Sequence, residues 1–261
     1  MGAEGETSGL DILGTTVHAL TLDDAARRMI DAAIARRPYV VCPRDAHGIV
    51  RARSDAGLRR AHARASLVTA DGMPLVWLQK AAGFSFATRV YGPDLMHSVC
   101  DLGRSVGLRH AILGGREGVA ERVAATLATR YPGLTVALAA GLPMQPPGHR
   151  PGAGEDADAL ARLAAAKADV LWLGLGSPRQ ELWLEANRDV LTVPVRAGVG
   201  AAFDFIAGTV PQAPRPLRSI GLEWAWRLAV DPRRLGPRYA RTIPAFLWLC
   251  ARHRPWRKAA A

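Results

Sequence analysis

Between Ala168 and Gly208 the chain reads ADVLWLGLGSPRQELWLEANRDVLTVPVRAGVGAAFDFIAG. Two short apolar runs, Val170–Leu173 and Val193–Ala197, each lead into a glycine pair. The first continues as Gly174-Leu-Gly-Ser-Pro-Arg-Gln-Glu181 and the second as Gly198-Val-Gly-Ala-Ala-Phe-Asp204. Strand, glycine turn and helix, repeated, is the way a parallel α/β sheet builds a ligand crevice at its strand ends. Gln180, Glu181 and Asp204 sit just past those turns and are expected to face the crevice.

The preceding residues carry the same alternation. Residues 9–22 read as a β-ribbon, with Thr21 placed to cap a helix over Leu22–Arg36. Val40–Cys42 is a buried strand followed by the turn Pro43-Arg44-Asp45, and Ser54–Arg64 is a helix. Leu67–Thr69 is a strand ending at Ala70-Asp71-Gly72, so a second strand end presents a carboxylate, before a helix over Met73–Ala82. Pro93 and Asp94 suit the first turn of a helix over Leu95–Val106. His110–Leu113 ends at Gly114-Gly115, and a helix over Glu117–Arg130 leads to a strand at Leu134–Ala139. Gly141–Gly154, with four glycines and four prolines, is a surface loop before a helix over Asp156–Lys167. Strands alternating with helices of this length imply an α/β fold: a Rossmann-like parallel sheet with helices on both faces.

Past Pro211 the pattern becomes helical only, and charge separates the two parts. Residues 212–261 hold eleven Lys and Arg against the two acids Glu223 and Asp231, whereas residues 1–211 hold 23 basic and 21 acidic groups. The organisation expected is a near-neutral body, residues 9–211, and a basic helical appendage, residues 212–261, which Pro232, Pro237 and Pro244 break into short pieces. Such an appendage implies an anionic partner. No nucleic-acid-binding motif or aromatic stacking ladder accompanies it, which disfavours nucleic acid as the partner, and a solvated, inert basic face is the bland alternative. Arginines beside Trp248 and Trp256 suit an anionic membrane surface. No apolar run is long enough to span a bilayer, and the N-terminus shows no secretory pattern. Cys42, Cys100 and Cys250 form neither a metal spacing nor a disulfide set, which points to a reducing, cytoplasmic setting.

Taken in order, several segments resemble the WecG/TagA/CpsF family of bacterial glycosyltransferases. They are Ala70-Asp-Gly-Met-Pro-Leu-Val-Trp77, Arg89-Val-Tyr-Gly-Pro-Asp-Leu95, Leu113-Gly-Gly115, Gly174–Glu181 and Gly198-Val-Gly-Ala-Ala-Phe-Asp-Phe205. Ala213-Pro-Arg-Pro, Gly221-Leu-Glu-Trp-Ala-Trp-Arg-Leu228 and Asp231-Pro-Arg-Arg-Leu-Gly-Pro-Arg-Tyr239 complete the set, which spans about residues 9–250. The resemblance implies transfer of a sugar from a UDP-sugar, of the UDP-N-acetylmannosamine type, to a saccharide on a polyprenyl diphosphate at the inner membrane face. It implies an inverting, metal-independent reaction with no cofactor, and leaves homo-oligomerisation open.

By position, the resemblance gives Asp71 the role of base. An inverting displacement needs one group to take the acceptor hydroxyl proton, while UDP leaves unaided. Cys42, Arg44, Arg89, Asp94, Gly114, Gly115, Gln180, Gly198, Gly200 and Asp204 become substrate contacts. Arg215, Arg218, Arg227, Arg233, Arg234 and Arg238 become candidates for stabilising the departing diphosphate or holding the lipid diphosphate. The family usually carries Thr-x-Asn where this chain has Cys42-Pro43-Arg44-Asp45. That substitution sets a thiol and a guanidinium near the donor sugar, opens the site to an acidic or differently substituted donor, and leaves His47 beside the crevice.

Blander readings stand beside these. Asp71 is also placed to cap the helix that begins at Met73. Both glycine pairs lack the third glycine of a dinucleotide fingerprint, with Arg179 and Phe203 in its place, which disfavours a nicotinamide-dependent reductase. A nucleotide-binding protein without transferase activity would use the same crevice. Asp156 and Asp158 belong to a helix start rather than a metal site. Glu223 is four residues from Arg227 and reads as its partner.

Overall fold

A computed structural model describes residues 8–143, 145–146 and 148–257. The start of the N-terminal segment, Met144 and Pro147 of the glycine-proline loop, and the last four appendage residues lie outside the described residues. Eight strands form one sheet in the order β1-β2-β4-β3-β8-β7-β5-β6. β1 (Gly9–Ile12) and β2 (Thr15–His18) are the antiparallel ribbon, and every other pairing is parallel. The inner strands β3 (Tyr39–Arg44), β4 (Leu67–Ala70), β5 (Arg109–Gly114), β7 (Val170–Gly174) and β8 (Val195–Gly198) are buried along nearly their whole length. That matches their near-continuous apolar sequences, as a sheet covered on both faces requires. β6 (Thr135–Ala140) forms the far edge.

Helices cover both faces. α1 (Leu22–Ile34) starts at a capping box in which Thr21 accepts from Asp24 N and the Asp24 carboxylate accepts from Thr21 N. α2 (Ala46–Ala52) and α3 (Ala56–Ala63) are capped by Asp45 and Asp55. α4 (Met73–Ala81), α5 (Gly92–Gly103), α6 (Val119–Arg130), α7 (Ala157–Ala166), α8 (Arg179–Ala186) and α9 (Ala202–Ile206) follow. α10 (Arg215–Ser219), α11 (Glu223–Val230) and α12 (Pro232–His253) make up the C-terminal part.

Two local expectations are corrected, and one interval left unassigned by sequence is filled. Pro43 and Arg44 are not a turn but the end of β3, opposite Thr69 and Ala70 of β4. Pro43 lies beyond the last β3–β8 pair, Val41 with Ala197, so its missing N–H breaks no bond on that side. The interval that follows holds the short helix α2, whose glycine and β-branched residues mask it in sequence. Pro237 and Pro244 do not break the C-terminal segment; both lie inside the 22-residue α12. An internal proline costs a helix about 3 kcal/mol. Here the buried Leu235, Phe246, Leu249 and Cys250 hold α12 against the body.

Phe246, Leu249 and Cys250 pack in one apolar cluster with Leu10, Ile12 and Val17 of the ribbon, Cys42 of β3, Ile49 of α2 and Leu75 of α4. The appendage is therefore built into the core of its own chain. A second cluster fills the space under α1, α5, α6 and α9, around Met29, Leu95, Val123, Trp172 and Phe203. A third lies beneath α7 and α8, around Leu163, Leu171 and Trp183. Phe203 lies so close over β7 that a Cβ on Gly174 would meet its ring at 2.4 Å, which is why glycine ends that strand.

Candidate active site

The parallel strands deliver their C-terminal ends to one edge, where a cleft of about 620 Å³ opens. Its floor is the two glycine turns, Gly174–Ser177 and Gly198–Ala202, with Gln180. Asp45 after β3 and Asp71 after β4 form one wall, and Gly115, Arg116, Leu142 and Arg179 the other. Arg227, Asp231, Arg234 and Arg238 of α11 and α12 overhang it. The volume lies within the range of small-molecule sites.

Asp71 follows β4 directly and does not cap α4, whose N-cap is Gly72. Burial pushes its carboxyl up to about 6, with Asp45 and Glu223 adding to the rise and Arg89 and Arg227 opposing it. Arg89 Nε donates to the Asp71 carbonyl, but its Nη2 stands 3.7 Å from Asp71 Oδ1, beyond hydrogen-bond length. The same guanidinium lies 3.9 Å over the Tyr91 ring and donates to Glu223 Oε2 at 2.8 Å. Tyr91 Oη donates to Glu223 Oε1 at 3.0 Å. Glu223 is thus the partner of Arg89 and Tyr91, which corrects its sequence pairing with Arg227: long-range docking outcompetes the i,i+4 neighbour.

Arg44 is 3% exposed. Its Nε donates to the Pro43 carbonyl at 2.7 Å, one Nη to Ser177 Oγ at 3.0 Å and the other to Glu181 Oε1. Gln180 Nε2 donates to the same Glu181 oxygen at 2.9 Å. An oxygen already receiving a guanidinium N–H accepts from the amide as well, which settles the amide's orientation. A Cβ on Gly198 would lie 2.9 Å from Gln180 Cγ and Nε2, so glycine is what admits this side chain beneath the turn.

The other predicted contacts divide. Asp204 lines the cleft, accepts from Thr209 Oγ1 at 3.2 Å and faces Arg116 at 3.6 Å. Gly115 and Gly200 line it; Gly114 sits behind, against Gly174. Cys42 does not reach the cleft. Its side chain points into the core cluster of the ribbon and α12, where burial pushes the thiol up to about 12. Asp94 is at the start of α5, 3.7 Å from Arg218, and neither is a lining residue. His47 is turned away too, its Nδ1 2.9 Å from Thr242 Oγ1 of α12.

Among the appendage arginines, Arg227, Arg234 and Arg238 line the cleft. Arg238 donates to Asp45 Oδ2 at 2.7 Å, and Asp45 also accepts from Gly48 N at 2.8 Å. Burial alone would raise the Asp45 carboxyl, yet Arg238 and that N–H hold it below its ordinary value. Arg233 is exposed on α12 and does not line the cleft. The backbone of Arg215 opens α10; its side chain lies outside what is described. Sequence reasoning missed Arg116 and Asp231 as lining residues. Arg116 directly follows Gly114-Gly115, a strand-end glycine turn like those at Gly174 and Gly198, and that position is the signal for it.

Among the described residues, no group of three or more His, Cys, Asp or Glu is placed to hold a metal ion. Six arginines and four aspartates line the cleft, so positive charge surrounds a carboxylate whose proton affinity burial has raised toward neutral pH. An open α/β sheet with an arginine-rimmed cleft at its strand ends is a class of fold and site that suits an anionic ligand, and Asp71 is a group able to exchange a proton near neutral pH.

The chain belongs to the glycosyl transferase WecG/TagA/CpsF family, which it matches over residues 10–260, and it is a glycosyltransferase. Among its relatives are the N-acetylglucosaminyldiphosphoundecaprenol N-acetyl-beta-D-mannosaminyltransferases of Staphylococcus aureus strains NCTC 8325 / PS 47 and COL. Each is 27% identical over 189 residues, covering 72% of this chain and 70% of the relative. The protein so named in strain MW2 is similar to the same extent.

Proposed function

We propose that this glycosyltransferase moves a sugar from a UDP-sugar to a saccharide carried on a polyprenyl diphosphate, in the synthesis of a cell-surface polysaccharide. The observation that carries the reading is Asp71: a carboxylate on the cleft wall, raised by burial to about 6, beneath an arginine-rich overhang. A base poised near the working pH takes the acceptor hydroxyl proton as the hydroxyl attacks the anomeric carbon and the UDP bond breaks. Attack from the face opposite the leaving UDP inverts the configuration. Gln180, Asp204 and the glycine turns hold the donor nucleotide. Arg227, Arg234 and Arg238 spread the charge that grows on the departing diphosphate.

The donor is of the N-acetylhexosamine class carried by the staphylococcal relatives' names. An acidic donor loses its main support, because each Arg44 nitrogen already donates within the protein and its charge faces Glu181. The chemistry asks for no metal or other cofactor.

We further assign residues 212–261 to closing the site and touching the inner face of the cell membrane, with residues 9–211 as the donor-binding body. No helix among the described residues is long and apolar enough to cross a membrane. Ile220, Leu222, Trp224, Leu247 and Trp248 are exposed apolar side chains of that region, and Trp77 of α4 is exposed nearby, against Gly221. Arginines beside such a surface favour an anionic interface.

Release of UDP from a panel of UDP-sugars, with and without a lipid-diphosphate-linked saccharide analogue, tests the function. Acceptor-dependent UDP release is expected. Nucleotide binding without UDP release from any donor would establish the alternative, a binding protein without transferase activity.

A further inference from the structure

The buried acid Glu223 takes no proton and does not line the cleft, yet it binds Arg89, a guanidinium 3.7 Å from the Asp71 carboxylate. It is 6% exposed and stands at the start of α11, 152 positions along the chain from Asp71. Both of its oxygens are taken, Oε2 by Arg89 at 2.8 Å and Oε1 by Tyr91 at 3.0 Å. Arg89 is therefore held between two carboxyl groups but hydrogen-bonds only one of them. Asp71 Oδ1 is buried and has no hydrogen-bond partner, although a guanidinium nitrogen lies 3.7 Å away. A buried carboxylate and a free guanidinium at that separation would close to a direct pair, and such a pair lowers the carboxyl's proton affinity.

We propose that Glu223 is a positioning residue for the base: by holding Arg89 off Asp71, the docked appendage keeps the Asp71 carboxylate basic enough to take the acceptor's proton. The inference rests on the reading of Asp71 as the base. The charged and titratable groups facing Asp71 are Arg89 and Tyr91 from the segment leading into α5, Asp45 at the cap of α2, and Glu223 and Arg227 from α11. Loss of the Glu223 charge acts twice in one direction. It removes a negative neighbour that raises Asp71, and it weakens the hold on Arg89, whose charge lowers it, because an amide oxygen accepts from a guanidinium less strongly than a carboxylate does. The base is thereby conditional on an element that reaches it only through tertiary docking.

The test is the pH dependence of UDP release by the full-length protein, comparing wild type with Glu223→Gln and Glu223→Asp. In the wild type the rate rises through an apparent pKa near the 6 of Asp71. In Glu223→Gln that acid limb moves down by about one pH unit or more, and the plateau rate falls because the base is weaker. In Glu223→Asp the shorter side chain draws back from Arg89 but keeps its charge, so the limb moves the same way by less. Thermal melts establish that each variant is folded; if Glu223→Gln is not, Glu223→Asp decides the matter. A lower rate with the limb unmoved makes Glu223 merely structural and overturns the proposal. Wild-type rates at every pH in Asp71→Asn overturn the base reading itself, and this inference with it.

Discussion

Replacing Asp71 with asparagine separates what the carboxylate costs the fold from what it does in the reaction. Burial raises the carboxyl from its ordinary 3.8 to about 6. At about 1.4 kcal/mol per unit, a shift of about two units is worth roughly 3 kcal/mol. The side chain is 29% exposed, and solvent screening lowers the figure to about 2 kcal/mol. The sign follows from where the two states release the proton. The unfolded chain gives it up near 3.8 and the folded protein holds it to about 6, so the group's ionisation favours unfolding increasingly as pH rises through that window. Above about 6 the whole cost is present, and below 3.8 none of it is. Asp71→Asn should therefore melt about 4–6 °C higher than wild type at pH 8, and nearly level with it at pH 4. The same variant should lose about 100- to 10,000-fold in acceptor-dependent UDP release. Differential scanning fluorimetry at the two pH values, paired with the rate assay, reads both. An equal melting shift at both pH values would refute the burial argument, and an undiminished rate would refute the role as base.

Gly198→Ala should drive Gln180 out from beneath its turn, because the new Cβ lies 2.9 Å from the side chain. The expected result is a donor KM raised about tenfold or more with a smaller change in kcat; an unchanged KM counts against Gln180 as a donor contact. Arg44→Met leaves Glu181 buried without a counter-charge, with the Gln180 amide still donating to it, which should cost about 3–5 kcal/mol. The double variant with Glu181→Leu should be more stable than the two single losses predict, and strict additivity in thermal unfolding would refute the coupling. Leu247→Ser with Trp248→Ser should weaken sedimentation with anionic vesicles about tenfold or more, while UDP release to a water-soluble acceptor analogue persists. Undiminished vesicle binding would remove these side chains from the membrane surface. These substitutions are preferable to deleting residues 212–261, which would strip Phe246, Leu249 and Cys250 from the core.

The architecture was largely legible because its signals are local. Apolar runs of strand length, glycine pairs after them and capping residues such as Thr21 each act within a few residues, so they mark β7, β8 and α1 in the sequence itself. Ordered motifs led to the family, and strand ends pointed to Asp71, Gln180 and Asp204. The errors fell where local preference was overruled. Pro237 and Pro244 signal breaks, yet apolar contacts between α12 and the ribbon keep one helix whole. Cys42 and Arg44 share one face of β3 and sit in a motif position expected at the donor, but Cys42 lies too far from the strand's end and packs in the core, while Glu181 claims the guanidinium.

Chain order and composition by themselves determined a parallel α/β body, a basic C-terminal part and a carboxylate at the end of the fourth strand. Only the tertiary structure decided that α12 completes the body's core, that Arg227, Arg234 and Arg238 rather than Arg218 or Arg233 overhang the cleft, and that the carboxylate bonded to Arg89 is Glu223 and not Asp71. The physical reason is range. Backbone preference and periodicity are settled by neighbours along the chain, whereas burial and charge pairing depend on groups brought together from more than a hundred positions apart.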